Sequence, residues 1–154
     1  MLVVGASLAG LKTCEGLRER GFDGKLTLVG AEAHHPYDRP PLSKELLAGR
    51  WDADQVSLRP DGLGELELQH FPGVSAAGLD LAERKVVLED DRRLSFDALV
   101  IATGALPRPL PGLAGKAPAG LHYLRSLDDA LCLRSALPSG PPLSLIPISE
   151  PTRR

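Results

Sequence analysis

A chain of 154 residues is long enough for one domain with a real core and too short for two of ordinary size. Hydrophobic residues at 43% and charged residues at 25% exclude disorder and collagen-like repeats, and 18 Lys plus Arg against 20 Asp plus Glu leave a net charge of -2, without the basic excess of a nucleic-acid or membrane-surface binder. Aromatics at 4% are too few for a base-stacking platform, so the core must rest on Leu, Val and Ala.

Leu2 to Val4 is a short apolar run that meets Gly5 and then a stretch of helical spacing, in which Gly10, Cys14 and Leu17 share one face. Small residues on that stripe let the helix lie close to a sheet, while Lys12, Glu15, Arg18 and Glu19 point elsewhere. Gly21 is placed to end the helix, with Arg18 and Arg20 at its negative end. Lys25 to Val29 then reads as a second strand running into Gly30-Ala31-Glu32, which completes a βαβ unit.

Residues 33–50 carry Pro36, Pro40 and Pro41 and read as a loop with a helical end over Leu42 to Leu47. Glu65 to Gln69 alternates polar and apolar with period two, which predicts a strand returned to the sheet. Val74 to Leu81, Lys85 to Glu89 and Arg93 to Phe96 follow as short strands of an antiparallel meander, with turns at Ala82-Glu83-Arg84 and Asp90-Asp91-Arg92. Ala98 to Ala102 is an unbroken apolar run ending at Thr103-Gly104, the pattern of a parallel strand buried on both faces. Nine of the 14 prolines lie beyond residue 104, enforcing extended chain until a helix predicted over Leu127 to Leu137.

Cys14 and Cys132 are the only cysteines and stand 118 positions apart, so a reduced, cytoplasmic setting is expected rather than a disulfide framework. Nothing basic precedes the apolar start and charges follow it at once, which argues against an export signal. No uncharged apolar run approaches the ~20 residues of a bilayer crossing.

The residues Gly5-Ala6-Ser7-Leu8-Ala9-Gly10 fit G-x-G-x-x-G with Ser7 in place of the middle glycine. In that pattern the first glycine makes the tight turn, the middle position lets backbone approach a pyrophosphate, and the last allows helix to pack on strand, while the helix N-terminus offers free amides to phosphate. Glu32 closes the second strand 22 residues after Gly10, where an acid accepts hydrogen bonds from ribose hydroxyls and disfavours a 2′-phosphate. Together these predict an α/β, Rossmann-like nucleotide-binding fold: a parallel sheet with a β-meander insertion. His34 and His35 are adjacent and cannot easily chelate one ion together, so no metal site is expected.

Pro36-Tyr37-Asp38-Arg39-Pro40-Pro41-Leu42-Ser43-Lys44 closely resembles a stretch of the FAD-dependent ferredoxin reductases that serve oxygenase systems, the putidaredoxin and rubredoxin reductase group of the pyridine nucleotide-disulfide oxidoreductases. The similarity runs from Leu2 to about Ala136 and includes Ala102-Thr103-Gly104 and Leu124-Arg125-Ser126-Leu127-Asp128-Asp129-Ala130. It implies an FAD/NAD(P)-binding fold with Gly5 making the tight turn of the cofactor site, Ser7, Leu8, Ala9 and Gly10 at the pyrophosphate, Glu32 on the adenosine ribose, and Arg39 on a phosphate or the ribityl chain. By the same resemblance Lys44 lies near the flavin ring as the catalytic cation, Val74 meets adenine through its backbone, and Arg108 and Arg125 lie beside the phosphates. Ala102, Thr103 and Gly104 belong to the same cofactor-binding set.

The family's disulfide-reducing branch carries a cysteine pair after the ribose acid, where this chain has His34-His35-Pro36. Without a dithiol, the flavin must take a hydride and release electrons singly, which suits a ferredoxin or rubredoxin-like iron–sulfur partner. Residues 1–105 are expected to form the FAD-binding lobe, and 106–140 a linker and the start of the nicotinamide-binding domain. The second glycine-rich loop that would hold NAD(P)H is expected soon after Ser139, and is absent. Residues 141–154 instead resemble the in-frame translation of a sequencing adapter, a non-native tail. The expectation is therefore an incomplete domain, inactive by itself in electron transfer from a nicotinamide. An NADH-dependent flavin reductase, a nucleotide-binding module without redox work and a nonfunctional fragment remain alternatives.

Overall fold

The structure, a computed structural model, describes residues 1–110 and 118–137. The expected adapter tail, and residues 111–117 and 138–140 of the expected linker segment, lie outside the described residues.

Strand β1 (Leu2–Val4) is followed by helix α1 (Leu8–Glu19) and strand β2 (Thr27–Val29), and every residue of both strands is buried. After the proline-rich loop come β3 (Gln69–Phe71), β4 (Ala76–Asp80), β5 (Lys85–Leu88), β6 (Arg93–Ser95) and β7 (Leu99–Ile101), and then helix α2 (Leu127–Ala136). The parallel sheet has the order β3-β2-β1-β7, and β4-β5-β6 form a separate antiparallel sheet.

Alternation along the parallel strands explains the layering. Leu2, Val4 and Val29 pack with Val86 and Leu88 of the meander. Val3 and Leu28 point the other way and pack with Leu11 and Cys14 of α1. The sheet is thus covered by the meander on one face and by α1 on the other, and its central strands need no polar face. Leu11 joins the expected stripe of Gly10 and Cys14 as fully buried, and Leu17 is only partly covered. Burial pushes the Cys14 thiol up to about 11, so it behaves as a small apolar side chain.

Gly21 ends α1 with a positive φ of 80°, its N–H on the Arg18 carbonyl at 2.9 Å and the Phe22 N–H on the Leu17 carbonyl at 3.0 Å, the paired bonds of a Schellman cap.

Two expectations need correction. Glu65 to Gln69 is not one strand: Gly64–Leu66 is a 3₁₀ turn, Glu67 is left-handed with φ 44°, and only from Gln69 does the chain pair with β2. The cause lies in Arg18, whose guanidinium takes the carbonyls of Leu66 at 2.8 Å and Glu67 at 3.0 Å that a ladder would otherwise use, while Leu66 packs under α1. The Ala98 to Ala102 run is likewise not buried on both faces. Leu99 and Val100 are half-buried and Ile101 is 64% exposed, because among the described residues β7 pairs with β1 alone and forms the sheet edge.

The loop after β2 begins its helical part at Pro40 rather than Leu42, as a 3₁₀ turn over Pro40–Ser43. Proline is suited to a first turn, where its missing N–H costs nothing. The loop builds a third cluster in which Tyr37, Leu42, Leu46 and Val56 pack with Leu127 and Ala130, so α2 docks on the first lobe.

His70, on β3, has a buried Nε2 without a hydrogen-bond partner, and its ring lies 5.6 Å from that of His35. Burial first, and the neighbouring His35 second, push its imidazole below the ordinary 6.5. The unfolded chain then binds this proton more readily, so folding stability should fall as pH drops below about 6.5, a window set by the ordinary histidine value. Urea unfolding of wild type and His70→Leu across pH 5 to 8 checks this: a clear flattening of that slope is expected, and parallel curves would contradict it.

Candidate functional site

The carboxyl ends of β1, β2 and β7 open into a cleft of about 530 Å³. This is the crevice outside a parallel sheet where the chain, having stepped from β1 to β2 and β3 on one side, returns to the other as β7. Backbone approaches at its floor admit only glycine. A Cβ on Gly5, where φ is 115°, would lie 2.1 Å from the Ala102 carbonyl oxygen, and one on Gly10 would lie 1.8 Å from that of Gly5.

Ser7 is the N-cap of α1 in extended conformation, its side chain makes no capping bond, and no acid stands in the first turn. The amides of Leu8, Ala9 and Gly10 are thereby left to whatever lies beyond the helix, with the positive end of its dipole. Helix α2 is the opposite case. Ser126 and Asp129 form a reciprocal capping box, and the Leu127 N–H donates to the Tyr37 hydroxyl at 2.9 Å.

Opposite the α1 terminus stands a polar network. Arg39 Nη2 donates to Glu32 Oε1 at 2.6 Å, Nη1 to the Arg125 carbonyl at 2.6 Å and to Tyr37 Oη at 3.1 Å, and Nε reaches Ser7 Oγ at 3.4 Å. The Tyr37 hydroxyl donates to Glu32 Oε2. Burial first, and the hydrogen bond to Glu32 next, push this phenol up to about 12. It therefore stays a donor throughout the physiological range. Just outside the network, His34 Nε2 lies 2.8 Å from Asp128 Oδ1 and ties the loop to α2 again.

Gly5, Ser7, Glu32, Arg39, Val74 and Ala102-Thr103-Gly104 line the cleft. Leu8, Ala9 and Gly10 form the first turn beside it, with Gly10 buried. Val74 is buried and donates its N–H to the Gly30 carbonyl at 3.0 Å. Arg125 is not among the residues lining the cleft, and its Nε donates to the Ala105 carbonyl at 3.0 Å. Lys44 and Arg108 are exposed and outside the cleft lining. Tyr37 was not singled out as a site residue in the sequence. The signal that could have found it is generic: a buried tyrosine hydroxyl needs a partner, and the nearby acid Glu32 is one. A second hollow of about 720 Å³ shares His34 and Tyr37 and contains Asp54, Asp61 and Arg59, whose guanidinium is already paired with Glu15 and Glu65, so it is poorly suited to phosphate.

An open helix N-terminus at strand ends, a glycine floor and an acid closing the second strand define a dinucleotide-binding α/β unit. Residues 1–141 match the pyridine nucleotide-disulphide oxidoreductases, and the chain belongs to that family. It is 41% identical over 141 residues to putidaredoxin reductase CamA of Pseudomonas putida, covering 89% of this chain and 33% of that protein. To the ferredoxin–NAD(+) reductase component of the p-cumate 2,3-dioxygenase system of Pseudomonas putida it is 41% identical over 147 residues, 95% of this chain and 36% of the relative. The crystal structure of the covalent putidaredoxin reductase–putidaredoxin complex superimposes with a TM-score of 0.81 at 39% identity, over 88% of this chain and 33% of that one. The chain thus spans about one third of the length of the relatives it matches.

Replacing Gly10 by Ala should cost about 3 kcal/mol or more, because a methyl group against a backbone carbonyl cannot be relieved by a rotamer change. Urea unfolding measures this, and a loss below about 1 kcal/mol would mean that α1 can shift away from the Gly5 turn.

Proposed function

We propose that this chain is the N-terminal FAD-binding portion of an NAD(P)H:ferredoxin oxidoreductase, an enzyme that passes electrons from NAD(P)H through FAD to a ferredoxin or rubredoxin-like iron–sulfur protein serving an oxygenase. The observation that carries this reading is the uncapped, acid-free terminus of α1 facing Glu32 across the cleft. One end suits a diphosphate and the other a ribose, whose hydroxyls a carboxylate accepts and whose 2′-phosphate it disfavours. The names of the relatives support the ferredoxin side of the reading.

The residues present fit the ADP half of FAD. Ser7, Leu8, Ala9 and Gly10 would hold the diphosphate through backbone amides, with Glu32 on the adenosine ribose and Val74 at the adenine. By resemblance Arg39 would meet a phosphate or the ribityl chain, Arg108 and Arg125 would lie beside the phosphates, and Ala102, Thr103 and Gly104 would complete the floor. When bound, FAD supplies the conversion between a two-electron hydride donor and a one-electron acceptor. Lys44 is assigned to the flavin's surroundings as the catalytic cation. In the full-length protein, residues 1–105 belong to the FAD lobe, and 106–140 lead toward the nicotinamide unit with α2 docked back on the lobe. Two free cysteines, one buried and one exposed, support a cytoplasmic setting. No helix among the described residues is long and apolar enough to cross a membrane.

Titrating this chain with FAD and following flavin fluorescence should give saturable binding. Glu32→Ala should weaken it by about 1 to 3 kcal/mol, the cost of losing charge-assisted hydrogen bonds. No binding by wild type would overturn the cofactor assignment, and an unchanged affinity in the variant would move the ribose elsewhere. In the full-length flavoprotein Lys44→Met should lower the flavin reduction potential, because a cation near the ring favours its anionic reduced form. An unchanged or raised potential in spectroelectrochemistry would remove Lys44 from the flavin.

A further inference from the structure

Resting on the FAD reading above, we infer that Tyr37 is the positioning residue of the ribose site: its hydroxyl holds the Glu32 carboxylate in the orientation that receives the adenosine ribose, and the Leu127 amide holds that hydroxyl.

Glu32 is one third exposed, and its carboxylate would sample several rotamers on a free strand end. Here Oε1 takes Arg39 and Oε2 takes the Tyr37 hydroxyl, so each oxygen has one lone pair fixed and one left for a ligand. The two donors are unequal in rigidity. Arg39 is a long side chain divided among several acceptors. Tyr37 is 5% exposed and packed among Leu42, Leu46 and Val56, and its backbone is pinned on either side by Asp38 N–H to the Val56 carbonyl at 2.8 Å and Leu58 N–H to the Pro36 carbonyl at 3.0 Å. A phenol so held has little torsional freedom to lose. The hydroxyl has one proton to donate, and the Leu127 N–H and Arg39 Nη1 both donate to its oxygen, which directs that proton toward Glu32. The acid is thereby oriented before any nucleotide arrives, and binding avoids the ordering cost.

The test uses ADP, the half of FAD that meets Glu32, and 2′,3′-dideoxy-ADP, which keeps the base and diphosphate but lacks both ribose hydroxyls. By calorimetry Tyr37→Phe, which keeps the ring, should weaken ADP about tenfold and dideoxy-ADP less than about twofold. A merely structural role would weaken both nucleotides alike. Equal penalties, or none, with wild-type binding intact would overturn this inference and leave the FAD reading standing. Failure of wild type to bind either FAD or ADP would overturn both. A second measurement retains the hydroxyl and so does not depend on the variant folding. With Tyr37 and Tyr123, the two tyrosines of the chain, replaced by 3-fluorotyrosine, the ¹⁹F resonance of position 37 should shift on ADP addition and shift markedly less with dideoxy-ADP. Identical shifts with the two nucleotides would overturn the inference.

Discussion

The carbonyl of Gly5 lies where a side chain at residue 10 would have to begin, and the carbonyl of Ala102 lies where one at residue 5 would begin. This double backbone contact draws three elements to one point. The end of β1, the start of α1 and the end of β7 meet there without intervening side chains, and the cleft is the space left just beyond them. Because α1 sits so close, its first amides face that space directly, and because β7 sits so close, Ala102 to Gly104 line the same wall. A single added carbon at Gly10 would push α1 off the Gly5 turn, and one at Gly5 would push the end of β1 from the end of β7, so the amides would no longer converge with Glu32.

The parts of the fold most legible in the sequence are those in which one local pattern has one cause. Leu2 to Val4, Leu26 to Val29 and the helix between them are read by continuous apolar runs and a narrow stripe, because both faces of the central strands are covered. The meander is read by short alternating segments with turn residues. Illegible are the places where a distant side chain decides. Glu65 to Leu68 alternates as a strand does, yet the Arg18 guanidinium, nearly fifty residues earlier, captures its carbonyls. Ala98 to Ala102 has the composition of a central strand and lies at the edge, since apolar content does not report how many neighbours a strand has.

The candidate site divides in the same way. Gly5, Gly10 and Glu32 are identified by spacing because their roles belong to the backbone and to one strand end. The network around Glu32 is not, because it joins residues 7, 32, 37, 39, 125 and 127, whose meeting depends on the 33–58 loop folding back on itself. The proline-rich motif carrying Tyr37 and Arg39 could be matched to a family as a string of letters. Its physical content is that a rigid loop delivers two donors to one carboxylate and an acceptor to the first amide of α2.

That arrangement also sets the charge balance of the cleft. Arg39 is largely spent on Glu32, Tyr37 and the Arg125 carbonyl, so the pair contributes little net charge to the cleft. Lys44 and Arg108 stand outside the lining. The positive potential in the cleft then comes mainly from the α1 amides and dipole, at an N-terminal turn that carries no acid and no side-chain cap. The two helices end differently: α2 closes its terminus on Ser126, Asp129 and Tyr37, whereas α1 keeps its own open. An acid or a capping side chain introduced in the first turn of α1 would compete with phosphate for the same donors. Capping that terminus would stabilise the helix by about 1 kcal/mol, a gain the chain forgoes while its first amides stay open to the cleft.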